Sequence, residues 1–257
     1  MRLNANSPRL PSPFDRIMNS LPQACASLVP GLVPVPASPR EGVCKVCHGA
    51  CPPHYSQCYR CHAVVDTGIE VLPISISVHD GLLHTHLRQY KDSESLEVRT
   101  KATNALAALT AAFFGQHREC IGAFDLVTTI PSPTRDSAAA IVESILNIEP
   151  FLKSTLVAKR SGDRDIDSAR FEVVSDVRGQ RILLFDDTLT SGGTIFSAAN
   201  ALVGSGAHVT TAVVIGRHFR PNFEASGQLW KWLKDRTWDL SRCARCNGEM
   251  RDHFSLF

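Results

Sequence analysis

The chain has 257 residues, 44% of them hydrophobic and 20% charged, with a formal net charge of +2. This composition suits one medium globular domain with attachments, excludes a disordered polar chain and gives bulk electrostatics no preferred partner. No stretch approaches the roughly 18 consecutive apolar residues of a membrane span, and no apolar signal core follows Met1-Arg2-Leu3-Asn4. The expectation is a cytoplasmic protein. Its nine cysteines are many for that compartment unless metal is bound.

Residues 1–40 are rich in Pro, Ser and Asn and read as a flexible arm or linker. Residues 41–66 form the next unit. Cys44-Lys45-Val46-Cys47 and Cys58-Tyr59-Arg60-Cys61 are two Cys-x-x-Cys pairs. Each pair offers two thiolates from one tight turn, and two such turns complete a tetrahedron, as in a zinc ribbon or a rubredoxin-like site. Disulfides would need export. Attachment of c-type haem, whose motif Cys44–His48 and Cys58–His62 match, would need it too. The reading is a small lobe with structural zinc on Cys44, Cys47, Cys58 and Cys61. A third pair, Cys243-Ala244-Arg245-Cys246, follows Trp230, Trp232 and Trp238 in a Trp-rich tail at 221–257. It could coordinate with one of the first two pairs, form a second site with Cys51 or His253, or hold no metal. Local loop closure favours Cys44, Cys47, Cys58 and Cys61 as a site by themselves.

The main domain spans residues 67–220. Residues 71–78 alternate like a strand, 82–92 open a helix with a basic end, and 98–114 repeat at helical spacing. Asp125–Ile130 is a strand stopped by Pro131, Asp136–Leu146 a helix with Asp136 as a possible cap, and Leu156–Ala158 a short strand. Residues 159–180 are polar and charged, with few large apolar side chains. Then come a strand from Arg181, a helix over 195–203 and a strand over 208–215. Strands alternating with helices predict an α/β fold, an open and mainly parallel sheet with flanking helices. Ligands of such sheets gather at the carboxyl ends of the strands.

The stretch with most chemistry is Arg181-Ile182-Leu183-Leu184-Phe185-Asp186-Asp187-Thr188-Leu189-Thr190-Ser191-Gly192-Gly193-Thr194. Four apolar residues read as a strand buried on both faces, ending at two carboxylates. Glycines let backbone amides approach an anion, and the helix that follows adds its positive end. Asp186 and Asp187 suit hydroxyl groups, or a metal reached through water. No Gly-Lys-Ser/Thr is present to hold a nucleoside triphosphate.

This stretch resembles the phosphoribosyl-pyrophosphate (PRPP) motif of type I phosphoribosyltransferases: a hydrophobic strand, Asp-Asp, two variable residues, Thr-Thr/Ser-Gly, any residue, Thr. The resemblance implies that Asp186 and Asp187 are the catalytic pair, holding the ribose 2- and 3-hydroxyls. It implies that Thr188, Leu189, Thr190, Ser191, Gly192, Gly193 and Thr194 form the 5-phosphate site. The loop after strand 125–130 and a flexible basic loop contact pyrophosphate in that family, which points to Ser132 and Arg135, and to Lys159, Arg160, Arg164 and Arg170. Mg²⁺ would arrive with PRPP, and the reaction would pass phosphoribose to a nitrogen acceptor. The four-Cys lobe, Leu87-Arg88-Gln89-Tyr90-Lys91-Asp92 and Phe171 ahead of the final motif also resemble the ComF-type competence proteins, described as amidophosphoribosyltransferase-like. That family's links to DNA uptake run through protein partners; here the basic residues are scattered and mark no nucleic-acid surface. In this chain the basic loop reads Asp165-Ile166-Asp167-Ser168-Ala169-Arg170 where the family carries Gln and Arg-Asn, and Pro131-Ser132-Pro133 replaces Pro-Val-Pro. These departures leave room for a PRPP-binding accessory protein that is catalytically weak or inactive.

Overall fold

The apolar runs of the main domain assemble into one four-stranded parallel sheet, and a computed structural model describes residues 23–62, 68–132, 138–160, 165–223 and 226–246. The strands are β1 (Glu70–Val78), β2 (Leu126–Thr129), β5 (Arg181–Leu189) and β6 (His208–Phe219), in the order β1-β6-β5-β2. A parallel sheet needs cover on both faces. Ile182 and Leu184 of β5 and Val214 of β6 bury into one apolar cluster, while Leu183, Phe185, Val213 and Ile215 bury into another. Adjacent residues of a strand point to opposite faces, so these clusters are the two sides of the sheet.

The helices are α1 (Tyr59–His62), α2 (Leu82–Asp92), α3 (Leu96–Gln116), α4 (Arg118–Ile121), α5 (Ala139–Glu143), α6 (Gly193–Gly204) and α7 (Gly227–Leu233). The second cluster is roofed by α2 and α3. The buried alanines of α3 at 102, 105, 107, 108 and 112 bring its backbone close to its neighbours, and Ser95 caps its start by accepting from the Val98 amide at 3.4 Å. The first cluster is covered by α6 and by the cysteine lobe, whose Cys44, Cys47, Cys51 and Cys61 are buried in it.

Three readings change. β1 alternates in sequence, yet seven consecutive residues are buried, because Ser75 exchanges hydrogen bonds of 2.9 and 3.0 Å with the main chain of Val33. β1 is an edge strand, which accommodates Pro73. Val33 bridges its outer side at Ile76, and the Trp238 indole donates to the Ile74 carbonyl at 2.9 Å, so the edge is covered rather than open. Second, Leu156–Ala158 (β3) stays out of the sheet: it pairs antiparallel with β4 (Phe171–Val173), a strand inside the polar segment. Third, β5 continues through the acidic pair to Leu189, and the helix expected from Asp136 is described as a short α5 followed by turns to Phe151. Asp136 lies outside the described residues, as do residues 1–22 of the expected arm.

Candidate functional site

All four sheet strands run parallel, so their carboxyl ends share one edge. There β5 ends at Leu189 and α6 begins at Gly193. The turn between them depends on Gly192. Its φ is +86°, in the left-handed region, and a Cβ built on it would lie 2.5 Å from the Phe196 ring. A side chain here would meet both backbone strain and a buried ring. Ser191 Oγ accepts from the Gly193 amide at 3.4 Å. Thr190 is exposed, Thr188, Ser191 and Thr194 are half-buried, and Leu189 is buried beneath them. The first turn of a three-turn helix, with hydroxyls around it, can receive a phosphate.

The two carboxylates differ. Asp187 lies on the α2–α3 side and is 3% exposed. It accepts a 2.6 Å hydrogen bond from the Tyr90 hydroxyl and pairs with the Lys91 ammonium. Asp186, on the other face, is half-buried and accepts from the Asp187 amide at 2.9 Å. Burial, and then the neighbouring Asp187 charge, push its carboxyl well above the usual carboxylate range. The pair therefore combines a side chain fixed by Tyr90 and Lys91 with a more loosely held carboxyl whose ionisation is disfavoured and which can meet hydroxyls.

A second clamp comes from β6. The Arg217 guanidinium donates to the carbonyls of Thr190 at 2.8 Å, Leu189 at 3.2 Å and His218 at 2.9 Å. Its other terminal nitrogen lies 3.8 Å from Cys47 Sγ. Gly49 leaves the space that this guanidinium fills, since a Cβ there would sit 2.4 Å from it. One arginine thus ties the cysteine lobe to the loop. Nothing in the local sequence marks Arg217, nor Tyr90 and Lys91 as partners of Asp187.

The candidate pyrophosphate residues are dispersed. Arg170 is buried and reaches the loop itself, donating to Thr194 Oγ1 at 3.3 Å. The segment before it docks on α6 through the Asp167 amide, which donates to Ser197 Oγ at 2.8 Å. Lys159 pairs with Glu172 at 3.4 Å, and Arg160 pairs with Asp167. Ser132 is exposed just past β2. Arg135 and Arg164 lie outside the described residues. An apolar groove of about 820 Å³ beside α3, bounded by Phe114, Ile145 and Phe151, includes none of the candidate residues.

Two cysteine groups form. The sulfurs of Cys44, Cys47, Cys58 and Cys61 lie within 4.8 Å of one another, with Cys47 and Cys58 3.9 Å apart. A tetrahedral zinc with bonds of about 2.3 Å sets sulfurs about 3.8 Å apart, so the donor set fits the ion. The surrounding thiols of Cys44, Cys58 and Cys61 hold the Cys47 thiol well below its ordinary range. Cys51 is not among them; its thiol donates to the Tyr55 carbonyl at 2.9 Å. Cys243 and Cys246 gather instead with His117 and Cys120, neither of which the sequence singles out; His253 lies outside the described residues. His79, His84 and His218 also meet near the carboxyl ends of β1 and β6, with ring centroids 5.0–5.4 Å apart. Burial, then the facing His84 and His79, lower His218 to about 4.

Comparison with known proteins gives the lineage. The chain is 32% identical over 142 residues to the adenine phosphoribosyltransferase of Mycolicibacterium paratuberculosis, a match covering 49% of this chain and 71% of the relative. The chain belongs to the type I phosphoribosyltransferase family. The orotate phosphoribosyltransferase of Methanopyrus kandleri is 33% identical over 72 residues, 28% of this chain and 38% of that one. The ribose-phosphate pyrophosphokinase of Brucella melitensis is 44% identical over 59 residues, 23% of this chain and 19% of that one. A solved orotate phosphoribosyltransferase of Mycobacterium tuberculosis H37Rv in complex with PRPP aligns at 18% identity over 54% of this chain and 84% of its own, with a TM-score of 0.30. No family model matches the chain. Among the described residues no helix is long and apolar enough to cross a membrane.

Proposed function

We propose that this protein binds Mg-PRPP at the carboxyl edge of its sheet and transfers the phosphoribosyl group to a nitrogen acceptor, with release of pyrophosphate. The observation that carries this reading is the turn from β5 to α6 behind Asp186 and Asp187, in a chain related to phosphoribosyltransferases. Thr188 to Thr194 take the 5-phosphate: backbone amides and the hydroxyls of Thr190, Ser191 and Thr194 supply donors, and Arg170 adds a cation beside Thr194. Asp186 accepts from the ribose hydroxyls, and Asp187, fixed by Tyr90 and Lys91, holds the floor beneath them. Displacement at C1 passes through an oxocarbenium-like state. The protein's work is then to orient the ring and to set negative charge near the sugar and positive charge near the leaving group. Mg²⁺ enters as part of the substrate, held chiefly by phosphate and ribose oxygens.

Zinc on Cys44, Cys47, Cys58 and Cys61 is structural, because four protein ligands leave no open position. Through Arg217 this lobe steadies the carbonyls of Leu189 and Thr190. The units 1–40, 41–66, 67–220 and 221–257 divide the chain into arm, lobe, transferase-like domain and tail.

One observation favours a second reading, a ComF-type accessory protein that binds PRPP and acts through protein partners. Lys159 and Arg160 are already paired with Glu172 and Asp167 on their own arm, which leaves them less available to a leaving group. Release of pyrophosphate from PRPP, assayed over a panel of purine and pyrimidine bases and amine donors, separates the two. Base-dependent release supports transfer; PRPP binding with no release on any acceptor supports the accessory reading.

A further inference from the structure

We infer that His117, Cys120, Cys243 and Cys246 form a second structural zinc site, which fastens the C-terminal segment to the junction of α3 and α4. The four donor atoms lie within 4.8 Å of one another. Cys243 and Cys246 sulfurs are 3.4 Å apart, and Cys246 Sγ is 3.6 Å from His117 Nδ1. These are close to the edges of a zinc tetrahedron with Zn–S of about 2.3 Å and Zn–N of about 2.0 Å.

Three further features belong to a ligand set rather than to chance proximity. The other nitrogen of His117, Nε2–H, donates to the Leu240 carbonyl at 2.7 Å. That bond fixes the tautomer and leaves the Nδ1 lone pair facing the sulfurs, as the outer bond of a metal-bound imidazole does. The amides of Arg245 and Cys246 both point at Cys243 Sγ at 3.4 Å, so the Cys-x-x-Cys turn is already folded as a thiolate-holding knuckle. His117 and Cys120 stand three residues apart where α3 passes into α4, which makes the donor pattern His-x-x-Cys with Cys-x-x-Cys.

The site has a structural consequence. Cys243 and Ala244 are buried in the cluster on the α3 side of the sheet, whereas Cys44, Cys47, Cys58 and Cys61 meet the opposite side. Glu70, at the start of β1, stands between them: it accepts from Arg245 Nε at 3.1 Å and lies 3.9 Å from His48 Nε2, next to Cys47. Two metal clips would then grip the sheet from both faces. The second also holds Trp238 over the β1 edge.

Zinc per chain in the full-length protein tests this. Wild type is expected to hold about two equivalents, with Cys44→Ser and Cys246→Ser each holding about one. X-ray absorption at the zinc edge of wild type, which requires no variant, is expected to show imidazole scattering together with a sulfur shell. His117→Cys should keep two zincs and lose the imidazole signal. Retention of zinc in Cys246→Ser at the wild-type level, or a single sulfur-only zinc lost in Cys44→Ser, overturns the second site. A single zinc kept in Cys44→Ser and lost in Cys246→Ser upholds it and removes the first. Persistence of the imidazole signal in His117→Cys overturns the role of His117.

Discussion

Replacing Lys91 by Met is expected to be costly, and a second substitution is expected to repair part of the cost. Asp187 is 4% exposed at its side chain, Lys91 21%, and the two form an ion pair with Tyr90 on the same carboxylate. Removing one partner of a buried pair leaves an uncompensated charge, which costs about 3–5 kcal/mol. Because Lys91 keeps some water contact, the lower end applies, about 3 kcal/mol. At about 2–4 °C per kcal/mol for a chain of this size, the melting temperature should fall by about 6–12 °C. Tyr90→Phe sets the internal scale, since a hydrogen bond to a charged acceptor is worth about 1.5–3 kcal/mol. The double variant Lys91→Met with Asp187→Asn removes the stranded charge and should be more stable than Lys91→Met alone. Thermal unfolding of wild type, Lys91→Met, Asp187→Asn and the double variant provides the cycle. A loss under about 2 °C in Lys91→Met, or a double variant no more stable than the single one, would refute the reasoning.

Gly192→Ala should destabilise by about 2–4 kcal/mol, from a left-handed backbone of about 1–2 kcal/mol and the clash with Phe196; denaturant unfolding at or near wild-type stability would contradict this. Asp186 carries a raised folded pKa, so the folded state keeps its proton to higher pH than the unfolded state does, and stability declines as pH climbs from the ordinary carboxylate value toward the raised one. Asp186→Asn should accordingly stabilise the protein at neutral pH, with the gain vanishing in acid, while weakening PRPP binding; a gain that is independent of pH would count against the assignment. Arg217→Met releases three carbonyls around the loop and should weaken PRPP binding about tenfold, or ~1.4 kcal/mol, with zinc content unchanged; calorimetry that finds equal affinity would remove the link between lobe and loop.

The β5–α6 unit was legible because four apolar residues, two acids and a glycine turn are contiguous, so local chemistry alone specifies the shape. The first cysteine group was legible for the same reason: each Cys-x-x-Cys pair announces its own turn. What was hidden depends on distance along the chain. His117 and Cys246 are 129 positions apart, and Tyr90 and Asp187 are 97 apart; no spacing rule joins them until α3 and the tail pack. Leu156–Ala158 reads as a short strand, but its partner β4 does not, because three residues inside a charged segment show no period. The acidic pair was read as the end of a strand, yet the ladder with β6 continues beyond it to Leu189 and Arg217, because parallel pairing is set by the neighbour rather than by the polarity of one side chain. The loop cations illustrate the remaining gap: Arg170 turned inward to Thr194 while Lys159 and Arg160 found partners on their own arm, a choice set by the docking of residues 165–170 on α6.

The central claim, that the turn behind Asp186 and Asp187 is a PRPP site, is tested most directly by calorimetric titration of the full-length protein with PRPP, with and without Mg²⁺. Saturable binding near one PRPP per chain, strengthened by Mg²⁺ and lost in Gly192→Ala, is expected. Absence of binding in wild type, or binding that Gly192→Ala and Asp186→Asn leave unchanged, would contradict it.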